Sequence, residues 1–436
     1  MNFNVFSFLG FLEGLVVMKQ NNEKNRKRIV VKFGGSSLAD HERILRAVTA
    51  VAEEAKKGTQ IVVIVSAMGK TTDTLFHAAK NSSNGRLHKK DLDEILAMGE
   101  RTSIRIIAAA LKAQGVNSRY VDTHDPEWPI ITDDSFSDAN PILDTCYERA
   151  KQGVLPLVDN GIIPVIAGFV GRTKDKRVTT LGRGGSDTTA FILAKALEAD
   201  ELILVTDAEG IMSADPKVIA NPKRLPEIDV STLVGLADSG TKFIHRKALQ
   251  YKDASVKVRV IKNIHGNLNA EGTLIKGALS SDLDVELANL SPALSITVVG
   301  KGVSENPQVI KELAETVKNY AELLGLSLNY DSMILYASEN SNSKMLLEKV
   351  HEVILNHEET LAMSVRKQLA FLKIKGVGLE KTPGLTGRVS EALRIKRINI
   401  FGLMTITSSI LLFVNWKERE KALNLVRDAL RDDKQC

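Results

Sequence analysis

Cysteine is almost absent from this chain. Cys146 and Cys436 are the only two in 436 residues. They are far apart and lack metal-type spacing, which argues against disulfides and structural zinc and for a reducing, cytoplasmic setting. A charge excess is lacking too: 58 basic against 53 acidic residues leave a net +5. The cations are dispersed, and only Lys24 to Arg28 forms a basic run, so a nucleic-acid partner is not expected. Long apolar runs are missing apart from Phe3 to Val17. That stretch has no basic n-region or small-residue cleavage site, is short for a membrane span and carries Glu13. Translation is expected to begin at Met18, with residues 1–17 disordered or spurious and 1–27 outside the fold; a membrane anchor is the alternative. A Walker loop and a Gly-x-Gly-x-x-Gly fingerprint are not found in the glycine clusters.

What is present is an ordinary globular composition, 44% hydrophobic and 25% charged, long enough for two or three domains. Its most informative stretch is Arg28-Ile29-Val30-Val31-Lys32-Phe33-Gly34-Gly35-Ser36-Ser37. A β-branched strand ends at two glycines, which let backbone N–H groups approach an anion, and Lys32 adds a positive charge beside them. A tight turn with a solvated lysine is the plainer reading. A second cluster, Thr179-Thr180-Leu181-Gly182-Arg183-Gly184-Gly185-Ser186-Asp187, runs into an apolar helix. Free N–H groups at a helix start suit phosphate. Ser186 or Asp187 could simply cap that helix, but a cap does not require Arg183 between glycines.

Strand and helix patterns alternate through the first 275 residues. Strands are expected at 29–33, 60–66, 116–121, 162–168 and 201–206, and helices at 41–57, 92–114, 141–159 and 186–197. Such alternation predicts an α/β domain in three αβα layers around a mostly parallel sheet, with ligands at the carboxyl ends of strands. Lys32, Ser66, Gly168, Thr206 and Asp207 all fall at such ends. After Gly277 the pattern changes to two α+β passes of βαββαβ type. The first has strands at 293–299 and 332–337 and helices at 308–324 and 344–356. The second has strands at 368–375, 399–405 and 410–415 and helices at 384–395 and 417–430. The strand pair after the first helix reads as short.

These residues resemble the aspartate kinases of the amino-acid kinase superfamily, with a catalytic domain over 28–278 and tandem ACT-type regulatory units over 279–436. The resemblance rests on Lys32 to Ser37, on Val65-Ser66-Ala67-Met68-Gly69 and on Ala97-Met98-Gly99-Glu100-Arg101-Thr102-Ser103. It rests further on Gly168-Phe169-Val170-Gly171, Thr179 to Asp187, Thr206 to Ile211 and Gly240 to His245. In the second regulatory unit it rests on Lys375-Gly376-Val377-Gly378 and on Pro383 to Val389. Ser36 stands where threonine is usual, Thr241 for alanine, Arg246 for proline, Met212 for tyrosine and Lys217 for arginine. In the first regulatory unit, Ser304 to Pro307 lacks the usual helix-opening glycine.

The resemblance implies ATP with Mg²⁺ as the phosphoryl source and L-aspartate as the acceptor. Lys32, Asp187 and Lys242 would be catalytic. Glu100 would bind the substrate ammonium and Arg183 its α-carboxylate, with Ser66 and Ser186 beside them. Lys32, Gly34, Gly35, Gly185, Thr206, Asp207, Met212, Lys217 and Lys242 would hold the nucleotide. No metal site formed by protein groups alone is expected. Glu100 could instead make a helix salt bridge, and His245 is expected to be structural. Lysine or threonine would act as feedback effector, and the exposed sheet edges predict a homodimer or higher oligomer. Two other functions stay open: a kinase for another carboxylate or a carbamate, and an amino-acid sensor with a decayed kinase half.

Overall fold

The protein is described by a computed structural model covering residues 26–215, 218–238, 244–262, 266–279, 283–376, 379, 383–406 and 409–431. Two compact units divide the chain, 1–279 and 280–436. The expectations for residues 1–25, Lys217, Thr241 and Lys242 lie outside the described residues.

The first unit is built around central strands that are almost wholly buried, β1 (Arg28–Phe33), β2 (Gln60–Val65) and β4 (Ile163–Ala167). Continuous burial means a sheet covered on both faces, the environment of parallel strands. With β3 (Ser118–Val121) and β7 (Glu201–Thr206) they join β9 (Lys257–Lys262) and β10 (Gly272–Lys276). β8 (Glu227–Asp229) completes an eight-stranded sheet in the order β3-β4-β2-β1-β7-β9-β10-β8. All pairings are parallel except β9 with β10. β1 lies between β2 and β7, with Lys32 level with Ile64 and Leu204. A strand whose two neighbours lead away in opposite directions opens a crevice at its carboxyl end.

Helix α1 (His41–Lys56) starts at Asp40, whose side chain accepts the Arg43 N–H, and packs against α3 (Lys89–Ala113). Between them in sequence comes α2 (Thr71–Ser82), which the sequence pattern does not predict. Its single buried side chain, Ala79, explains why hydrophobic periodicity gives no signal. The segment expected as one helix over 141–159 is α4 (Leu143–Arg149), a π turn (Ala150–Val154) and α5 (Leu155–Asp159). The hairpin of β5 (Val170–Arg172) and β6 (Val178–Thr180) leads to α6 (Gly185–Ala196), which covers β1 and β7. Near the unit's end come α7 (Val230–Asp238) and the short α8 (Arg246–Leu249).

The second unit repeats one packing pattern twice. Its strands are β11 (Asp284–Leu287), β12 (Ala293–Val299), β13 (Leu323–Asn329), β14 (Ser332–Ser338), β15 (Ala362–Lys375), β16 (Gly402–Ile406) and β17 (Ser409–Asn415). Its helices are α9 (Pro307–Tyr320), α10 (Ser343–Leu355), α11 (Leu385–Ile395) and α12 (Arg419–Arg431). In one core Val309, Leu313 and Val317 face Leu294, Ile296 and Val298. In the other, Leu385, Val389 and Leu393 face Ala370, Leu372 and Ile374. Four-residue spacing on the helices and two-residue spacing on the strands are the signatures of one buried face each. A separate cluster occupies other positions of the same strands, where Tyr336, Phe413 and Phe371 stack at centroid separations of 3.8 and 4.8 Å.

The structure corrects four expectations in this unit. The helix expected over 308–324 ends at Tyr320, and Leu323 onward is strand β13. The strand pair is not short, since β13 and β14 have seven residues each. The missing glycine is replaced by Asn306, which caps α9 by accepting the Gln308 N–H at 3.0 Å, with Pro307 opening the helix. The two passes are also not simply consecutive. β15 is 14 residues long and serves both halves, pairing with β12 through its first part and with β17 and β11 through its second. The fourth strand of the second half is therefore β11, which precedes the first half in sequence.

Candidate active site

The carboxyl ends of β1, β2 and β4 and the start of α6 enclose a cavity of about 280 Å³. Lys32, Ser66, Glu100, Arg183, Gly185, Ser186 and Asp187 all line it, with Thr72 and Phe169. Residues up to 155 positions apart in sequence (Lys32 and Asp187) thus meet because parallel strands all deliver their ends to one edge.

Lys32 Nζ lies 2.7 Å from Asp187 Oδ1, and each side chain keeps only about a tenth of its exposure. Ser66 Oγ donates to Ser186 Oγ at 2.9 Å, tying the β2 loop to the first turn of α6. Glu100 comes from the buried face of α3 and is only 2% exposed. Its Oε1 accepts the Ala67 N–H at 2.9 Å, while Oε2 is buried without a partner among the described residues. Burial pushes the Glu100 carboxyl up to about 7, against the opposing pull of the Ala67 amide. This is not the surface salt bridge that a helical glutamate usually makes. A buried carboxylate oxygen with no donor is costly unless something supplies one, and here it borders a cavity. Arg183 is exposed and has no hydrogen bond or ion pair to a described residue.

The glycine loop is shaped by contacts behind it. Gly184 has φ 75°, and a Cβ there would stand 2.5 Å from the His245 Cβ. His245 itself caps α8, its Nδ1 accepting the Lys247 N–H at 3.3 Å. At the other loop, a Cβ on Gly35 would stand 2.7 Å from the Ala67 carbonyl oxygen, so only glycine lets the β1 and β2 loops approach this closely.

Two amides expected to meet phosphate are already committed. The Gly34 N–H donates to Val205 O at 3.2 Å and the Gly185 N–H to Gly182 O at 3.0 Å. Among the described residues no acceptor takes the N–H of Gly35, Ser36, Ser186 or Asp187. Those four are among the free donors of the two turns. Thr206 and Asp207 border a second cavity of about 240 Å³, together with Ser36, Ser37, Arg43, Arg46 and Lys262. Met212 lines neither cavity and lies in an isolated bridge with Arg224.

Sequence reasoning missed the groups that hold this site. Asp93 is fully buried and accepts the Ser137 N–H at 2.9 Å, the Thr180 N–H at 2.9 Å and the Thr180 hydroxyl at 2.8 Å. Burial raises its pKa while those donors oppose the shift. It stands seven residues before Glu100, on the same side of α3 among Leu96, Ala97 and Ile104. Two carboxylates within an otherwise apolar stripe were the available signal. Among the described residues no group of three His, Cys, Asp or Glu could hold a metal ion, and no helix is long and apolar enough to cross a membrane.

Comparison with known proteins agrees with this geometry. Residues 27–262 match the model of the amino acid kinase family. The aspartokinase of Geobacillus stearothermophilus is 31% identical over 382 residues, covering 85% of this chain and 89% of that protein. The crystal structure of aspartate kinase from Synechocystis superposes with a TM-score of 0.70 at 23% identity, over 92% of this chain and 69% of that one. E. coli aspartokinase III in complex with aspartate and ADP gives a TM-score of 0.54 at 22% identity, over 93% and 100%.

Proposed function

The chain belongs to the amino acid kinase family and, within it, to the aspartokinases, and from that premise we propose how its cleft works. The reaction is transfer of the γ-phosphoryl group of ATP to the β-carboxylate of L-aspartate. The product is 4-phospho-L-aspartate, at the first step toward lysine, threonine and methionine.

The acceptor carboxylate is already ionised at neutral pH, so no general base is needed to make it a nucleophile. The difficulty is bringing an anion to a polyanionic nucleotide, which is a matter of positioning and charge neutralisation. Lys32 neutralises the transferring phosphoryl group, and Asp187 fixes the lysine in place. Glu100 receives the substrate ammonium on its partnerless Oε2, and Arg183 takes the α-carboxylate. Ser66 and Ser186 hold the acceptor end between them. The free amides of Gly35, Ser36, Ser186 and Asp187 face the phosphates, with Thr206 and Asp207 toward the rest of the nucleotide. Lys242, Lys217 and Met212 are assigned to the nucleotide by resemblance. Mg²⁺ fits as an ion carried by the nucleotide, since its phosphates and water can fill an octahedral shell and the described residues offer no three-ligand cage. Bound there, it would neutralise phosphate charge.

The observation that carries this reading is the cavity with a buried carboxylate, an exposed guanidinium and an ion-paired lysine on its walls. That set suits a zwitterion with a second carboxylate. ATP turnover with aspartate, trapped as the hydroxamate and compared with glutamate, N-acetylaspartate and carbamate, tests it. Turnover with aspartate alone is expected. Preference for an acceptor without an ammonium group would reassign Glu100.

For residues 284–431 we propose a feedback role, with lysine or threonine as effector, and assembly as a homodimer through sheet edges. This half carries none of the residues that line the catalytic cavity. Inhibition or a melting shift by either amino acid at millimolar concentration is expected. No response to either, alone or together, would leave this half as an assembly module only.

A further inference from the structure

Lys247 lies outside the catalytic cavity, yet its ammonium is committed to the loop that carries Arg183. Its Nζ donates to Leu181 O at 2.9 Å, to Asp138 Oδ1 at 2.6 Å and to Ala139 O at 3.4 Å. A lysine has three donors, so none is left for a phosphate or a substrate. The side chain is 10% exposed, whereas Asp138 is 72% exposed and well solvated without it. The backbone carbonyl of Leu181 is the telling partner, because Leu181 immediately precedes Gly182-Arg183-Gly184.

That tripeptide is tied to α6 at both ends, Gly182 O accepting the Gly185 N–H at 3.0 Å and Gly184 O the Thr188 N–H at 2.9 Å, but among the described residues no bond holds Arg183 between them. Gly182 and Gly184 both adopt positive φ, 70° and 75°, on either side of Arg183. Glycines of this kind permit the turn but do not hold it. The holding comes from neighbours. Asp93 fixes Thr180 from α3, the Ala139 N–H donates to Thr180 O at 2.9 Å, and α8 closes the remaining side. At α8, the capping His245 stands against Gly184 while Lys247 in the helix grips Leu181 and Asp138. Asp138 in turn stands against Gly182.

We infer that Lys247 is a positioning residue for aspartate recognition: it locks the turn that aims Arg183 into the cavity. The inference rests on Arg183 being the α-carboxylate partner. Lys247 touches no substrate and acts only through that arginine.

The test is a double-mutant cycle on the full-length protein, with Lys247→Met, Arg183→Ala and the pair together. KM for aspartate, KM for ATP, kcat and Tm are measured for each. Lys247→Met is expected to raise the aspartate KM by about 10-fold or more, as loosening of a binding geometry does, while the ATP KM stays within about twofold. In the Arg183→Ala background the same change should add less than about twofold, because the group it positions is gone. A full multiplicative effect in that background, or equal rises in both KM values, would overturn the inference. If Lys247→Met does not fold, Lys247→Arg takes its place in the cycle, because a planar guanidinium cannot converge on the same three oxygens. Wild-type protein without aspartate-dependent turnover would instead refute the kinase reading itself, and an aspartate KM unmoved by Arg183→Ala would refute the arginine's role.

Discussion

Lys32 and Asp187 form a near-buried ion pair, 2.7 Å apart, that joins the end of β1 to the first turn of α6. One partner belongs to the sheet and the other to the helix covering it. The catalytic charge is thus set where the two layers meet, and its geometry depends on their packing.

Lys32→Ala is expected to lower kcat by about 10²–10³, the usual loss when one charge-stabilising donor is removed. It should also destabilise the fold, because Asp187 is left almost buried and unpaired, a situation that costs about 3–5 kcal/mol. Removing both, Lys32→Ala with Asp187→Ala, should recover much of the stability and none of the activity. Urea unfolding and steady-state kinetics on the three variants check this. Retention of wild-type kcat by Lys32→Ala would sink the role given to the lysine.

Arg183→Ala and Glu100→Gln should each raise the aspartate KM far more than the ATP KM. Each removes one end of a clamp for a zwitterion, and an unpaired buried charge costs about 2–5 kcal/mol. Substrate titrations at fixed saturating partner decide the matter. An effect confined to ATP would move the residue to the nucleotide side.

The pH dependence follows from Glu100, whose carboxyl burial pushes up to about 7. Only its ionised form attracts an ammonium, so the aspartate KM should climb as pH falls below about 7, approaching tenfold per unit. Stability runs the other way. A folded pKa above the unfolded value means the native state holds the extra proton between 4.5 and about 7. Stability is therefore lost as pH rises through that window. Glu100→Gln should flatten both trends, and its Tm at a pH of about 8, above the folded pKa, should exceed that of the wild type. A Tm difference independent of pH would contradict the assignment.

Gly35→Ala should damage two loops at once. Its Cβ would press on the Ala67 carbonyl oxygen, a backbone atom that cannot swing aside. Crowding of this kind costs about 1–3 kcal/mol. Because Ala67 also donates to Glu100, the aspartate KM should rise together with the fall in Tm. A variant with normal Tm and KM would show that the loops can separate freely.

Much of the first unit could be read from sequence because buried parallel strands announce themselves. Ile29 to Phe33, Gln60 to Val65 and Glu201 to Thr206 are apolar runs ending in turn residues, and strand ends are where ligands bind. What escaped was set by tertiary contact. Helix α2 buries only Ala79 and shows no apolar stripe. Asp93 looks like a surface residue until its stripe on α3 is drawn. Lys247 is one lysine among many until its three oxygens are assembled around it. The amides of Gly34 and Gly185 were misjudged because a glycine cluster shows which backbone can approach an anion, not which N–H groups remain free after folding. In the second unit, Leu323 continues the helical pattern closely enough to be absorbed into it, and no local signal could reveal that β11 completes the later half.

The position of β11 imposes an order on the birth of this protein. A ribosome releases Asp284 to Leu287 long before their partners on β15, and α12, where Arg427 donates to Val285 O at 3.2 Å, follows later still. The strand must therefore wait unpaired until β15 is made, and such non-local pairing is slow and exposed to misassociation. All the strands of the first sheet have been released by then. A message broken shortly before Arg419 would yield a finished kinase sheet trailing a regulatory sheet with one face bare where Ala422, Val426 and Leu430 should pack, a natural target for proteolytic surveillance.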